Sequence, residues 1–363
     1  MLSPRSKRNL HRIIPYGVIW LLVGWILLFV QEAATLNQNL NPTSAITLTP
    51  EVFVFASIAV TLVGLSVGTV EVLWLGHLFK RRSFTQKILY KVAFYTFFLL
   101  LIMIVIYPMA AGLELDLSPL HPEVLKKLSN FFVSIDFAST CISLAFSLFL
   151  SLFYSEISEN LGHAVLMNFF TGKYHRPTEE ERIFLFSDMK SSTSIAERLG
   201  HIRYFELLRE YYSDFSDAII SHSGEIYQYV GDEIIISWKY PDGIGKGHCI
   251  GCFLAMKEDL KKRADWYTEN FGVAPTFKAA MHIGKVTTGE IGALKKEIIF
   301  TGDVLNTTAR IQGLCNSFAT DLLLSGDLVK RLPPMAHIGF KAVGRHRLKG
   351  KEEGMELFMP IYK

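Results

Sequence analysis

The sequence predicts an α-helical membrane domain of four transmembrane helices, followed by an α+β domain with a βαββαβ core. Three observations predict it. Half of the 363 residues are hydrophobic, at the top of the range for soluble proteins, and the excess lies almost entirely before about residue 155. Four apolar stretches in that half reach bilayer-spanning length. From residue 183 onward the hydrophobic period changes to strands separated by helices, with one tight hairpin among them.

The apolar stretches are residues 13–30, 52–79, 88–111 and 131–154, each able to form one helix. Arg5, Lys7, Arg8 and Arg12 precede the first, and Lys80, Arg81, Arg82 and Lys87 fill the second connection. The first connection, "QEAATLNQNLNPTSAITLTPE", has no Lys or Arg, and the third holds only Lys126 and Lys127. By the positive-inside rule the amino terminus, the second connection and everything after Tyr154 are cytoplasmic, and the expectation is an integral protein of the cell (inner) membrane. A cleavable signal peptide is the competing reading of the first stretch and leaves the orientation of the rest unchanged.

Charges inside spans are costly, so Glu71 and Asp136 stand out. Glu71 is expected to face another helix across a close-packed seam, because Gly64 and Gly68 form GxxxG one turn earlier; a sensing role is the alternative. Asp136 is expected at the outer interface or in a functional site. Residues 1–154 thus form the transmembrane domain. Residues 155–182 change composition sharply and carry Gly172 and Pro177, so they read as a juxtamembrane linker, helical at first and broken before the next domain at 183–363.

Composition also excludes. A net charge of +3 is small for this length and no nucleic-acid-binding motif is present, so no nucleic-acid partner is expected. The cysteines, Cys141, Cys249, Cys252 and Cys315, are too few for a disulfide framework and imply a reducing compartment. Cys249 and Cys252 make a CxxC that could serve redox chemistry or half a zinc site. No second CxxC exists, and their helical run, 245–271, favours small core residues instead.

In the second domain "IFLFSD" is a buried strand ending in Asp188, and "MKSSTSIAERLG" and "HIRYFELLREYYSDFSDAIISHSG" have helical spacing. A hairpin follows, strands 225–230 and 233–238 turning on Gly231 and Asp232, and then a long helix over 245–271. "APTFKAAMHIG" and "KVTTGEIGA" read as two strands with Gly284 between them, and "DVLNTTARIQGLCNSF" as a helix. "DLLLSG", a short helix near Leu328, and the strands "IGFKAVGRHRLKG" and "GMELFMPIY" complete a sheet with helices on one face.

Two aspartates stand at neighbouring strand ends in such a sheet, Asp188 after the first strand and Asp232 at the hairpin tip. Turn chemistry alone accounts for Gly231-Asp232 taken singly, but not for its partner. Together the carboxylates offer the hard oxygens that Mg²⁺ prefers, in a setting that suits phosphoryl transfer. "MKSSTS", with Ser192 and Thr193, places N–H groups and hydroxyls at a helix start where a phosphate is welcome, or simply caps that helix. Asn306 and Arg310, four apart, share a helix face from which one can hydrogen-bond a sugar or ring and the other fork onto phosphate; a solvated surface pair is the plainer reading. Lys349 in "HRLKGKEEG" is a further phosphate cation or an exposed loop lysine.

The stretches "FSDMKSST", "YVGDEIIISW", "AAMHIGKVTTGEIG", "GDVLNTTARIQ" and "RLKGKEEGMELF", in this order, resemble the catalytic domain of the class III nucleotidyl cyclases, which make cyclic AMP or cyclic GMP. The resemblance covers about half of the chain. It implies a ferredoxin-like core and a homodimer with active sites between subunits. In each site Asp188, Asp232 and the carbonyl of Met189 would hold two Mg²⁺ or Mn²⁺ ions. Asn306 of the other subunit would orient the ribose, and its Arg310 and Lys349 would neutralise the triphosphate. Ser191 replaces a glycine often found in the first-metal loop. The base-recognition positions carry Gln228, where the family has Lys for adenine or Glu for guanine, and Ile299, where it has a polar residue. Gln can donate and accept, so it meets either purine. The expectation is a membrane-anchored adenylate cyclase acting on ATP. A guanylate cyclase acting on GTP, or a catalytically weak nucleotide-binding receptor or scaffold, is the alternative.

Overall fold

The structure is a computed structural model that describes residues 3–35, 41–78, 84–294, 296–335, 337–351 and 353–362. Lys80, Arg81 and Arg82, on which the orientation of the second connection rests, lie outside the described residues. The chain divides into two compact units, one of Ser6–Met167 and one of Met1–Arg5 with Asn168–Lys363.

The first unit is built of α1 (Pro4–Thr35), α2 (Pro50–Val70, continued by a π-helical turn over Glu71–Leu75), α3 (Phe84–Leu115), α4 (Pro122–Phe132) and α5 (Ile135–Leu161). Four helices among the described residues are long and apolar enough to cross a membrane: Pro4–Ala34, Pro50–Leu75, Leu89–Leu115 and Ile135–Leu161. Ile26, Phe97 and Phe149 are 60%, 67% and 62% exposed, an outward apolar surface that suits lipid. Capping sets the starts. The Thr49 hydroxyl accepts from the Val52 N–H ahead of Pro50, and Ser134 accepts from the Phe137 N–H. That second cap corrects the fourth span, which begins at Ile135, while Phe131 belongs to the preceding amphipathic α4.

Gly64 and Gly68 pack α2 on α1: a Cβ added at Gly64 would lie 2.7 Å from the Trp20 side chain, and one at Gly68 2.8 Å from the Tyr16 ring. Glu71 turns to a different helix, as a packing role requires. It is buried, ion-paired with Lys91 of α3, and accepts from the Tyr95 hydroxyl at 2.9 Å. Asp136 lies in the first turn of α5 and accepts from the Ser44 hydroxyl at 2.5 Å, at the helix end where a carboxylate is favoured.

The linker folds as α6 (His163–Thr171), set off from α5 by Gly162 at φ +87. The second unit then carries β1 (Thr178–Met189), α7 (Ser192–Leu199), α8 (His201–Ser221), β2 (Glu225–Val230), β3 (Glu233–Lys239), α9 (His248–Lys262), α10 (Ala264–Phe271), β4 (Phe277–Ile291), β5 (Glu297–Thr301), α11 (Asp303–Gly313), β6 (Leu322–Ser325), β7 (Ile338–Arg347) and β8 (Gly354–Tyr362). The sheet runs β2-β3-β1-β4-β6-β8-β7, with β5 paired to β4, and its first four strands are the ferredoxin-like set.

Several expectations are corrected. β1 starts at Thr178, inside the expected linker, because Thr178–Arg182 continue its antiparallel pairing with β4. β4 is one continuous strand through Gly284 and not two strands on either side of it: a Cβ there would stand 3.1 Å from the Val304 side chain, so glycine admits α11 close to the sheet. The helical run 245–271 is broken, by a turn with Lys246 at φ 55 and by Arg263 between α9 and α10. α11 ends at Gly313, and β5 was not anticipated. Finally, helices cover both faces of the sheet. Ile183, Leu185 and Met189 of β1 pack with Leu207, Phe215 and Phe253 of α8 and α9, whereas Phe184 and Phe186 pack with Val304 of α11. Strand alternation sends every second residue to a helical layer, so a two-sided burial pattern implies two layers.

Candidate active site

Strand alternation places Asp188 on the same face as Phe184 and Phe186, the α11 face. Its cross-strand partners on that face are Glu233 of β3 and Lys278 of β4. Asp232 arrives from the hairpin tip. Val230 pairs with Glu233, so Gly231 and Asp232 are a two-residue loop, and Gly231 sits at φ +64 with nothing within 4 Å of an added Cβ. Glycine is needed there for its backbone angle, not for space. Helix α8 pins the tip: the Tyr212 hydroxyl donates to the Gly231 carbonyl at 2.8 Å and lies 3.3 Å from that of Glu233, and its ring packs 4.6 Å from Tyr229.

The electrostatics of this corner are those of crowded acids. Burial, and then the neighbouring Asp232 carboxylate, hold the Asp188 carboxyl above the usual aspartate range, opposed by the Gln312 amide and by Lys278. The Lys278 ammonium is 3.4 Å from Asp188 Oδ2. Glu233 is pushed up to about 7 by burial and by both aspartates. Asp232 Oδ2 is buried with no hydrogen-bond partner. A carboxylate oxygen left so is costly unless a cation or proton meets it. The oxygen donors and the orphaned Oδ2 therefore fit a divalent ion. Among the described residues no group of three or more His, Cys, Asp or Glu side chains could hold a metal, so such an ion must also draw on backbone, water or a bound phosphate. Met189 is 1% exposed and anchors the end of β1 in the core, its carbonyl beside the acid pair in sequence.

The loop after β1 turns through Ser191 at φ 57, and no side-chain cap closes the start of α7. The Ser/Thr cap reading thus does not hold for α7, whose first-turn N–H groups keep no side-chain acceptor from that position. Ser192 is half-buried beside Tyr204, and Thr193 is exposed.

Helix α11 has two distinct faces. Val304, Thr307, Thr308, Ile311 and Gln312 are buried, and Gln312 reaches Asp188. Asn306 is exposed and Arg310 half-buried on the other side. Asp303 ties the helix start to the loop before β8, pairing with Lys351 at 2.5 Å and accepting from Thr307 at 3.1 Å. In that loop Gly350 lies against the Arg310 guanidinium, an added Cβ falling 3.6 Å from Nη2, and Lys349 is exposed. The structure thus gathers Asn306, Arg310 and the Lys349 loop on one side of α11, and Asp188 with Asp232 on the other.

Gln228 is exposed on the edge strand β2, and Ile299 is half-buried on β5. Their strands meet: the Phe300 N–H donates to the Tyr227 hydroxyl at 3.3 Å, the two rings lie 4.7 Å apart, and the Arg182 guanidinium sits 4.5 Å over Phe300. Cys249 and Cys252 are fully buried and burial pushes both thiols up, the first to about 12, as core residues require. Tyr212, Lys278 and Gln312 were not singled out from the sequence. Tyr212 had a signal in the adjacent pair Tyr211-Tyr212, one side chain for the core and one for the hairpin.

A family model described as the adenylate and guanylate cyclase catalytic domain matches residues 175–360. Adenylate cyclase 2 of Rhizobium meliloti (strain 1021) is 36% identical over 200 residues, 55% of this chain and 55% of that protein. Adenylate cyclase 1 of the same organism is 28% identical over 185 residues, 49% of this chain and 27% of that protein. The chain thus spans about half or less of the length of these relatives. Among solved structures, the adenylyl cyclase CyaB from P. aeruginosa aligns with 52% of this chain and 97% of its own at 19% identity and a TM-score of 0.45. With the family match extending from the end of the linker to the last strand, the chain belongs to the class III nucleotidyl cyclases, the adenylate and guanylate cyclase catalytic domain family.

Proposed function

We propose that this chain is a membrane-anchored adenylate cyclase that converts ATP to 3′,5′-cyclic AMP and pyrophosphate at a site shared between two copies. One observation carries the reading. Asp188 and Asp232 meet with a buried oxygen unpartnered, while Asn306 and Arg310 occupy the face of α11 turned away from the same chain's aspartates. A single chain therefore presents two half-sites, which a symmetric dimer would complete.

In this reading Asp188, Asp232 and the Met189 carbonyl hold two Mg²⁺ or Mn²⁺ ions. Those ions would supply the charge that acidifies the ribose 3′-hydroxyl and stabilises the departing pyrophosphate. Asn306 of the second copy hydrogen-bonds the ribose and fixes its 3′-oxygen. Arg310 and Lys349 neutralise the triphosphate, Ser192, Thr193 and the open N–H groups of α7 take phosphate oxygens, and Gln228 meets the edge of the base. Catalysis then comes mainly from placement and charge. Residues 1–154 act as the anchor in the inner membrane and residues 155–182 as the linker, with the amino terminus and the cyclase domain cytoplasmic.

GTP is the second reading, favoured by Gln228, whose exposed amide both donates and accepts. Membranes holding the full chain, given ATP and Mn²⁺, are expected to release cyclic AMP, and the Asp188→Asn chain none above background. GTP run in parallel decides the base. No cyclic product from either nucleotide would leave a binding receptor or scaffold and end the enzymatic reading.

A further inference from the structure

Lys278 is not among the groups assigned above, yet it stands at the acid pair. Glu233, Asp188 and Lys278 form a row across β3, β1 and β4, each directly opposite the next and all on the α11 face. The Lys278 ammonium lies 3.4 Å from Asp188 Oδ2, with its side chain only 15% exposed and that of Asp188 28% exposed. From these positions, and resting on the cyclase reading, we infer that Lys278 is a resident counter-cation that a divalent ion must displace from Asp188, so that it sets the metal concentration the site requires.

Three features make this more than a strand-to-strand ion pair. Asp188 lies among other carboxylates, with Asp232 beside it and Glu233 opposite, so a nearby positive charge screens the whole corner when no ion is bound. Asp232 Oδ2 is not satisfied by any protein group, so the lysine relieves the corner only in part. And the residue is lysine, a point charge on a flexible stem that can swing clear, where an arginine fork would bind the carboxylate in two places and resist release. Gln312 of α11 also lies beside Asp188 and favours its charged form without carrying charge itself. Once displaced, the ammonium remains a like charge near the bound ion and weakens its binding.

The test is Mn²⁺ binding by the full chain in detergent or nanodiscs, read from the electron paramagnetic resonance of free Mn²⁺ with no nucleotide present. Lys278→Met, which keeps the stem and removes the charge, is expected to bind Mn²⁺ about tenfold more tightly than the unaltered chain. It should also melt lower without metal and gain more on adding it, and Lys278→Arg should bind no more tightly than the unaltered chain. Should Lys278→Met fold poorly, Lys278→Gln serves with the same expectation, and reductive methylation of Lys278 in the unaltered chain, followed by mass spectrometry, should increase when Mn²⁺ is added. Unchanged or weaker Mn²⁺ binding by a folded charge-free variant, or methylation indifferent to Mn²⁺, overturns the inference and leaves an ordinary cross-strand pair. An unaltered chain that takes up no more Mn²⁺ than Asp188→Asn would instead count against the metal site itself.

Discussion

At the scale of the residue, Asp232 shows how one oxygen can carry two opposite effects. Its buried, unpartnered Oδ2 weakens the metal-free fold, because it faces other carboxylates, and the same exposure to charge is what a cation site requires. Asp232→Asn should therefore cost about a hundredfold or more in cyclic product while leaving the metal-free melting temperature unchanged or higher. Product formation and differential scanning calorimetry with and without Mn²⁺ check both signs. His282 gives the pH dependence. It is 6% exposed, sits with Nδ1 2.8 Å from the Ser325 hydroxyl, and burial lowers its pKa to about 4. The unfolded chain then binds a proton that the folded one refuses. Its contribution is present above the ordinary histidine value and is lost as pH falls from about 6.5 to about 4, by about 3 kcal/mol. Urea unfolding at stepped pH should show that loss, and His282→Gln should flatten it. Asp188 and Asp232 were legible in the sequence because one stands at the end of a strand and the other in a tight hairpin turn. Lys278 and Gln312 were not, since one acts through cross-strand register and the other through a helix face, and neither follows from spacing along a single chain.

At the scale of the element, α11 is the decisive piece, and its approach to the sheet depends on a glycine expected between two strands. Gly284 lies inside the continuous strand β4, and an added Cβ would fall 3.1 Å from the Val304 side chain, at the start of α11. Gly284→Val should push α11 off the sheet and cost about 1–3 kcal/mol. Because Gln312 rides on that helix beside Asp188, cyclic product should fall further than the lost stability explains. Comparing activity at a temperature where the variant is fully folded isolates that part. The hairpin, the helices α7 and α8 and the last two strands were legible, since hydrophobic period and glycine position suffice for elements that pack on one side or turn tightly. The length of β1, the continuity of β4 and the second helical layer were not. In each case the deciding contact is with a distant segment: β4 extends β1 back to Thr178, and α11 covers the face that local pattern leaves unassigned.

At the scale of the whole molecule, the two faces of α11 decide whether one chain can work alone. Gln312 on the inner face lies beside Asp188, and Asn306 and Arg310 lie off the buried face, so the aspartates and the two groups proposed to bind nucleotide point to different sites. If the sites form between two copies, inactivating changes on opposite halves should complement each other. Chains with Asp188→Asn and chains with Asn306→Ala should each be inactive when expressed alone. Expressed together in equal amounts, random pairing makes about half of the dimers mixed. Each mixed dimer has one site with both lesions and one with neither, so activity should return to about a quarter of that of the unaltered chain. No return at all would mean that Asp188 and Asn306 serve the same chain, which would require the outer face of α11 to reach its own metal corner and would leave the shared site without support. A return well above a quarter would point to preferential pairing of unlike chains, and crosslinking of tagged copies in the same membranes would measure that preference directly.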